Sequence, residues 1–155
     1  MNENPGHANV RFPPPVLALL HIAFALFLNW LVPFPTTYPH MLRWSGMFFV
    51  LAGLALAFLA VSRFRRAGTT LDPHSPVSAL VTDGPYGFSR NPIYLGFMCT
   101  LIGLPLALGT YWGILLAPLF LLLINYLVIR YEEEYLENRF GESYSSYKSR
   151  VRRWL

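Results

Sequence analysis

The amino-acid sequence predicts an all-α integral membrane protein with about four transmembrane helices, followed by C-terminal amphipathic helices on the cytosolic side. The 155 residues are 54% hydrophobic and only 13% charged, whereas a soluble domain is typically about 25% charged. The few charges are also segregated. Apart from Arg11 and Arg43, none falls between Asn4 and Ser62, and none falls between Asn91 and Ile129. A soluble globule of this size could not cover its surface with so few polar groups.

Two uncharged segments in the first half of the chain are each long enough to cross about 30 Å of hydrocarbon. The first covers residues 13–33, and its polar residues His21 and Asn29 are expected to bond neighbouring helices or to lie near an interface. No basic stretch precedes it, so we expect it to remain in the mature protein rather than to be removed as a secretory signal. The second covers residues 44–62, where Gly46 and Gly53 would let another helix approach closely.

The uncharged run from Ile93 to Ile129 is too long for one crossing, because a single helix of that length would measure roughly 55 Å. It is therefore predicted to form two spans, at residues 92–109 and 111–129, with a tight turn at 109–113. Tyr111 and Trp112 in this turn are residue types that favour the membrane–water interface. Each span is near the lower length limit for a crossing.

Two polar regions flank these last two spans. Residues 67–90 are rich in Gly, Pro, Ser and Thr and are predicted to be a loop, and loops of this length are often functional. In the C-terminal tail, apolar residues recur every three to four positions and the pattern breaks at Gly141, which predicts a helix, a turn and a second amphipathic helix.

The distribution of basic residues predicts the orientation. Arginines and one lysine concentrate in the loop at 63–90 and in the tail, whereas the 33–43 linker has one arginine and the 109–113 turn has none. The positive-inside rule therefore puts both termini, the loop and the tail in the cytosol. The net charge of +4 lies beside apolar spans and so indicates a membrane surface rather than nucleic acid as the partner. The lone Cys99 has no partner thiol, and no metal site is predicted.

A cluster of aromatic and polar residues occurs where the third span begins. Tyr86, Arg90, Asn91 and Tyr94 surround Pro92, with Asn91 placed to cap the helix and Pro92 at its first position. Free amides at a helix start, together with an arginine, attract a carboxylate. The aromatic rings could stack on a flat heterocycle.

A second cluster, Arg130-Tyr131-Glu132-Glu133-Glu134, follows the fourth span. Taken alone, it is typical of a solvated helix face at the edge of the bilayer. Close to the first cluster, one of its carboxylates could instead bind the ammonium or ribose hydroxyls of a cofactor. The acidic residues oppose the helix dipole unless the helix continues into the tail.

The segments LVTDGPYGFSRNPIYLG and EEEYLENRFGESYSSYKSRVRRWL together resemble the isoprenylcysteine carboxyl methyltransferases and their phospholipid methyltransferase relatives. The shared pattern is a Gly-x-Tyr turn, an Arg-x-Pro-x-Tyr-x-Gly helix start, a Glu-Glu pair, a Phe-Gly-x-x-Tyr-x-x-Tyr segment and a basic ending. The Gly-Thr-Thr at 68–70 resembles bacterial members, which implies a bacterial inner membrane. The resemblance covers roughly residues 65–155, and the cofactor-binding half is expected at 67–155 of a single domain.

The resemblance implies that S-adenosylmethionine binds between the last two spans and the C-terminal helices, leaving S-adenosylhomocysteine as the product. Arg130 and Glu133 are expected to act catalytically, Arg130 near the acceptor or the cofactor carboxylate. The implied cofactor contacts are Leu80, Val81, Tyr86, Arg90, Asn91, Pro92, Ile93, Tyr94 and Glu132.

The implied acceptor is lipophilic, either a small molecule or a prenylated group. Asn91 stands where eukaryotic members usually have histidine, and asparagine cannot shuttle a proton. This favours an acceptor that is already deprotonated, such as a carboxylate, although Glu132, Glu133 or Tyr94 could act as a base. Phospholipid headgroup N-methylation and thiol S-methylation stay open within the enzyme class. A non-enzymatic membrane adaptor and a small transporter are the rivals outside it, and a homodimer packed through glycine faces is a further expectation.

Overall fold

The computed structural model describes residues 12–34, 38–69 and 77–155, and within these ranges it contains helices and no strands. The predicted all-α class is therefore confirmed. The polar N-terminus and much of the predicted loop, including the threonine at the end of the 68–70 motif, lie outside the described residues. The helices are α1 (Pro14–Leu31), α2 (His40–Arg66), α3 (Pro92–Ala107), α4 (Trp112–Ile124), α5 (Arg130–Phe140) and α6 (Glu142–Arg150).

Three helical stretches are long and apolar enough to cross a membrane: α1, α2 and the continuous stretch Trp112–Phe140. The apolar α3 is shorter, at 16 residues, or roughly 24 Å at 1.5 Å per residue. These four helices cover the four predicted spans. Helix α2 extends beyond its predicted segment at both ends and includes the arginines that follow it, because arginine is a good helix former and stabilises a helix C-terminus.

Helices α2 and α3 pack against each other through paired glycines. A Cβ added to Gly53 would lie 2.6 Å from the Gly96 carbonyl oxygen, and one added to Gly103 would lie 2.6 Å from the Gly46 carbonyl oxygen. The two backbones therefore touch where glycine leaves room, as the sequence predicted for Gly46 and Gly53. All four glycines are buried within one chain, and the expected homodimer stays a prediction.

Helix α1 packs against α4 and α3. His21 is buried in this contact, where its Nε2 lies 2.9 Å from the Leu116 carbonyl oxygen and its ring meets Phe120 edge-on. The bond to a neighbouring helix confirms the structural role predicted for His21. At the far end of the bundle, Trp112 Nε1 donates to the Val32 carbonyl oxygen, which ties the turn before α4 to the end of α1.

The helix that starts at Trp112 does not stop at the end of the apolar run. A π-helical turn at Asn125–Ile129 joins α4 directly to α5. As a result Glu132 and Glu133 lie inside a continuous helix, in the first turn of α5, rather than at the C-terminal end of a helix. The unfavourable interaction of these carboxylates with the helix dipole, which the sequence indicated for a helix that ends there, is therefore avoided. Gly141, with φ of +51°, then turns the chain into α6, a backbone conformation that glycine adopts without steric cost. The predicted helix–turn–helix of the tail is present.

Candidate functional site

A cavity of about 390 Å³ lies at the end of the bundle where the loop and the tail meet. This size is within the range typical of small-molecule sites. Its wall combines the start of α1, the end of α2, the 77–91 segment, the start of α3, and α5 and α6. All nine residues that the sequence nominated as cofactor contacts line it: Leu80, Val81, Tyr86, Arg90, Asn91, Pro92, Ile93, Tyr94 and Glu132.

The two sequence clusters meet inside this cavity through a direct hydrogen bond. The Tyr94 hydroxyl on α3 donates to Glu132 Oε1 on α5 at 2.6 Å, a short distance for a bond to a carboxylate. Tyr94 is one turn into α3, and the continuous α4–α5 helix brings Glu132 opposite it. The carboxylate is thereby oriented at the cavity wall.

The buried carboxylate of Glu133 is held by two guanidinium groups. Arg90 Nη2 lies 3.0 Å from Glu133 Oε1, and Arg153 reaches both oxygens, with Nε at 3.0 Å from Oε1 and Nη2 at 2.5 Å from Oε2. The Arg153 pKa is raised because of its hydrogen bond to Glu133. Arg90 Nε and Nη1 are buried and have no acceptor among the described residues. Unpaired buried donors are costly, so these two atoms are suited to a bound anion.

The predicted side-chain cap at Asn91 is wrong, although Asn91 does precede α3 and Pro92 is its first residue. The Asn91 carboxamide makes no cap hydrogen bond; instead its Nδ2 donates to the Arg153 carbonyl oxygen at 2.9 Å. The same carbonyl accepts a bond from Ser89 Oγ, and the Arg90 backbone amide donates to the Arg152 carbonyl oxygen. The returning C-terminal segment thus takes the Asn91 side chain as a hydrogen-bond partner and is held against the start of α3.

Three buried tyrosines from outside the spans line the cavity: Tyr86, Tyr144 and Tyr147. The Tyr147 hydroxyl donates to the Tyr86 carbonyl oxygen at 2.7 Å, and the Tyr86 ring meets Phe64 edge-on with centroids 5.4 Å apart. Burial raises the pKa of Tyr147 to about 12. Burial, followed by the nearby charge of Glu132, raises the pKa of Tyr86 well above its usual value. These phenols are neutral at physiological pH and act as hydrogen-bond donors and apolar surface.

Of the two residues that were nominated as catalytic, only Glu133 lines the cavity. Glu133 lines the cavity, but both of its oxygens are engaged by arginines. Arg130 is exposed, lies over the Tyr126 ring at 5.7 Å, and borders a different depression on the other side of α5. Arg130 therefore does not line the cavity that the other nominated residues form.

Several wall residues were not nominated from the sequence. Behind the wall, Arg153 was also missed: it was assigned only to the basic membrane-facing tail, although it holds the cavity-lining Glu133. The aromatic and apolar wall residues include Phe64, Phe97, Leu136, Tyr144 and Tyr147. The spacing of Tyr144 and Tyr147 in the Phe-Gly-x-x-Tyr-x-x-Tyr pattern was a usable signal for their shared face. No sequence signal identified Phe64, which lies between Arg63 and Arg65 at the end of α2.

The polar groups and aromatic rings of the cavity wall are suited to bind an amino-acid group joined to a flat heterocycle. Arg90 offers two unpaired guanidinium N–H groups to a carboxylate, Glu132 offers an acceptor to an ammonium or hydroxyl, and aromatic rings supply apolar faces. The remaining wall is mostly apolar and includes Pro14 and Pro15 at the start of α1. This arrangement can hold a zwitterionic ligand at one side and an apolar one at the other.

Comparison with known proteins identifies relatives for this part of the chain. A family model described as phospholipid methyltransferase matches residues 41–143. The protein-S-isoprenylcysteine O-methyltransferase of Schizosaccharomyces pombe is 32% identical over 108 residues, which cover 63% of this chain and 46% of that protein. An uncharacterized protein of Haemophilus influenzae is 43% identical over 63 residues, 41% of this chain and all of that protein.

The chain spans less than half the length of the Schizosaccharomyces pombe enzyme. No solved structure matches the chain. The matched region contains α2 to α5 and therefore most of the cavity wall.

Proposed function

Because the chain belongs to the phospholipid methyltransferase family, we propose that it transfers a methyl group from S-adenosylmethionine to a lipophilic acceptor held in the membrane. The observation that carries this proposal is the meeting of unpaired Arg90 donors and the Glu132 carboxylate in one cavity with aromatic walls. The same region resembles a methyltransferase in its sequence motifs and in the family match.

The residues of the chain would bind and orient the cofactor. When bound, S-adenosylmethionine supplies a methyl group already activated on a positively charged sulfur. Arg90 would pair with the cofactor carboxylate, Glu132 with its ammonium or ribose hydroxyls, and the rings of Tyr86 and Tyr94 would contact its flat base. Their main contribution is alignment and exclusion of water, which can lower a barrier by roughly 7–11 kcal/mol in the best cases.

We propose a carboxylate, as on an isoprenylcysteine-like group, as the acceptor. Among the described residues that line the cavity none is histidine, Glu133 is paired with two arginines, and Glu132 accepts a bond from Tyr94. A carboxylate needs no base: its oxygen forms a bond to the methyl carbon as the carbon–sulfur bond breaks, and the bonding pair remains on sulfur. No proton is transferred in this step.

Methylation of a phospholipid amine is the second candidate, and the description of the matched family favours it. An ammonium must lose a proton before it can attack, and Glu132 would be the group to accept it. In either case the apolar wall at Pro14 and Pro15 provides a route for a lipid chain from the bilayer, and the basic loop and tail would face the cytosol.

Methyl transfer from S-adenosylmethionine with a tritiated methyl group tests the proposal. The purified protein is incubated with a farnesylated cysteine that has a free carboxylate, with its carboxamide as a matched control, and separately with phosphatidylethanolamine vesicles. We expect label in the free acid but not in the amide, and release of the label as methanol in base, because a methyl ester hydrolyses. Base-stable label in the lipid would support the amine instead. No label in either acceptor would contradict both.

A further inference from the structure

The Arg90–Glu133–Arg153 cluster contains two positive charges and one negative charge. Glu133 is the one carboxylate that both guanidinium groups contact. Its side chain is 11% exposed and that of Arg90 is 9% exposed, whereas that of Arg153 is 38% exposed. The inner pair of Arg90 and Glu133 would be neutral by itself, and Arg153 gives the cluster a net charge of +1.

The geometry shows how the outer arginine affects the inner one. Arg153 makes the bidentate contact to Glu133, while Arg90 uses only Nη2 and leaves Nε and Nη1 without an acceptor among the described residues. If the Arg153 guanidinium were absent, Glu133 would lose two donors. A buried carboxylate with unfilled acceptor sites would then turn toward the free donors of Arg90, since arginine and carboxylate favour a two-bond fork.

The backbone of the C-terminal segment is held independently of the Arg153 side chain. The Arg153 carbonyl oxygen accepts from Asn91 Nδ2 and Ser89 Oγ, and the Arg152 carbonyl oxygen accepts from the Arg90 amide. A substitution that changes only the side chain at position 153 retains these bonds. The role of the Arg153 side chain is therefore separable from the backbone contacts that hold the segment against residues 89–91.

We propose that Arg153 is a positioning residue that engages Glu133 and so keeps Arg90 available, with its charge uncompensated, for the carboxylate of the cofactor's amino-acid group. This inference rests on the proposed function, because it assumes that the cavity binds S-adenosylmethionine. It assigns to the basic end of the tail a role in cofactor binding rather than only in contact with the membrane surface.

Calorimetric titration of two ligands tests the inference. S-adenosylhomocysteine has the carboxylate, and S-adenosyl-3-thiopropylamine lacks only that group. For Arg153→Gln we expect about tenfold weaker binding of the first ligand, as befits a charged hydrogen bond, and an unchanged affinity for the second. Arg153→Lys should recover part of the lost affinity, because lysine restores the positive charge but not the two parallel hydrogen bonds to the Glu133 carboxylate. Arg152→Gln is the matched control, since the Arg152 side chain is exposed and hydrogen-bonds to the Leu155 carbonyl oxygen.

A double variant shows whether Arg153 affects ligand affinity through Glu133 or only through a local disturbance of the structure at position 153. In a Glu133→Gln background there is no carboxylate to compete for Arg90, so Arg153→Gln should have little further effect on affinity. Equal additional losses in both backgrounds would overturn the inference, as would equal weakening of both ligands or unaltered binding of S-adenosylhomocysteine by Arg153→Gln. Failure of the wild-type protein to bind S-adenosylhomocysteine would instead contradict the proposed function itself. Melting curves of the ligand-free variants verify that each is folded.

Discussion

Substitution of Gly53 by alanine should disturb both the packing of the bundle and the cavity that we propose binds the cofactor. The new Cβ would lie 2.6 Å from the Gly96 carbonyl oxygen, and ordinary contact begins at 3.4 Å. The backbones of α2 and α3 must therefore separate by about 0.8 Å at this point. Overpacking of this kind typically costs about 1–3 kcal/mol. Gly96 is two residues from Tyr94, so the shift also moves the hydroxyl that bonds Glu132.

We expect Gly53→Ala to lower the melting temperature of the detergent-solubilised protein and to weaken S-adenosylhomocysteine binding about three- to tenfold, because small misplacements of binding groups are costly. Both quantities are measured by fluorescence-detected melting with and without the ligand. Ala55→Leu is the control, since Ala55 is exposed on the same helix and a larger apolar residue there would meet only lipid or detergent. A Gly53→Ala protein as stable as the control variant would refute the argument from close packing.

Three further predictions concern single side chains. Tyr94→Phe removes the donor to Glu132 and should weaken S-adenosylhomocysteine binding by about five- to tenfold in calorimetry; equal affinity would show that other groups orient this carboxylate. Asn91→Ala removes the bond to the Arg153 carbonyl oxygen and should lower the free energy of unfolding by about 1 kcal/mol, whereas an unchanged melting curve would mean that the C-terminal segment is held elsewhere. The pKa of Tyr147 is about 12 in the fold and about 10 when unfolded, so its contribution to stability is complete below pH 10 and decreases as the pH rises toward 12. Tyr147→Phe should therefore flatten the decrease in melting temperature between pH 9 and 11, and an identical decrease would contradict the assignment.

The helices and the general location of the site could be predicted from the sequence because both depend on local patterns. Uncharged runs of sufficient length specify spans, and the glycines of α2 specify a close contact. Nine of the residues that line the cavity were nominated as cofactor contacts from two motifs that carry the family resemblance. Their meeting depends on α3 and the α4–α5 helix being neighbours, which a short turn between consecutive spans makes the simplest arrangement.

The tertiary contacts of the tail could not be predicted in this way. In the sequence, Arg153 is indistinguishable from the other basic residues expected at a membrane surface. Its contact with Glu133 forms only in the folded chain. The Asn91 side chain could cap the neighbouring helix or bond to the Arg153 carbonyl oxygen, which is distant in sequence. Only the helix cap can be recognised from the sequence, because it involves neighbouring residues. The π-helical turn at Asn125–Ile129 likewise has no distinctive residue pattern, although it joins α4 to the helix that carries Glu132 and Glu133.

The central claim is that the cavity shared by α3 and α5 binds S-adenosylmethionine through Glu132. Calorimetric titration of S-adenosylhomocysteine into the wild-type protein, Glu132→Gln and Glu134→Gln tests it most directly, because Glu134 is an exposed neighbour that does not line the cavity. We predict saturable binding to the wild type and to Glu134→Gln, and binding at least about tenfold weaker to Glu132→Gln. Absence of binding to a folded wild-type protein, or equal affinity of all three proteins, would contradict the account.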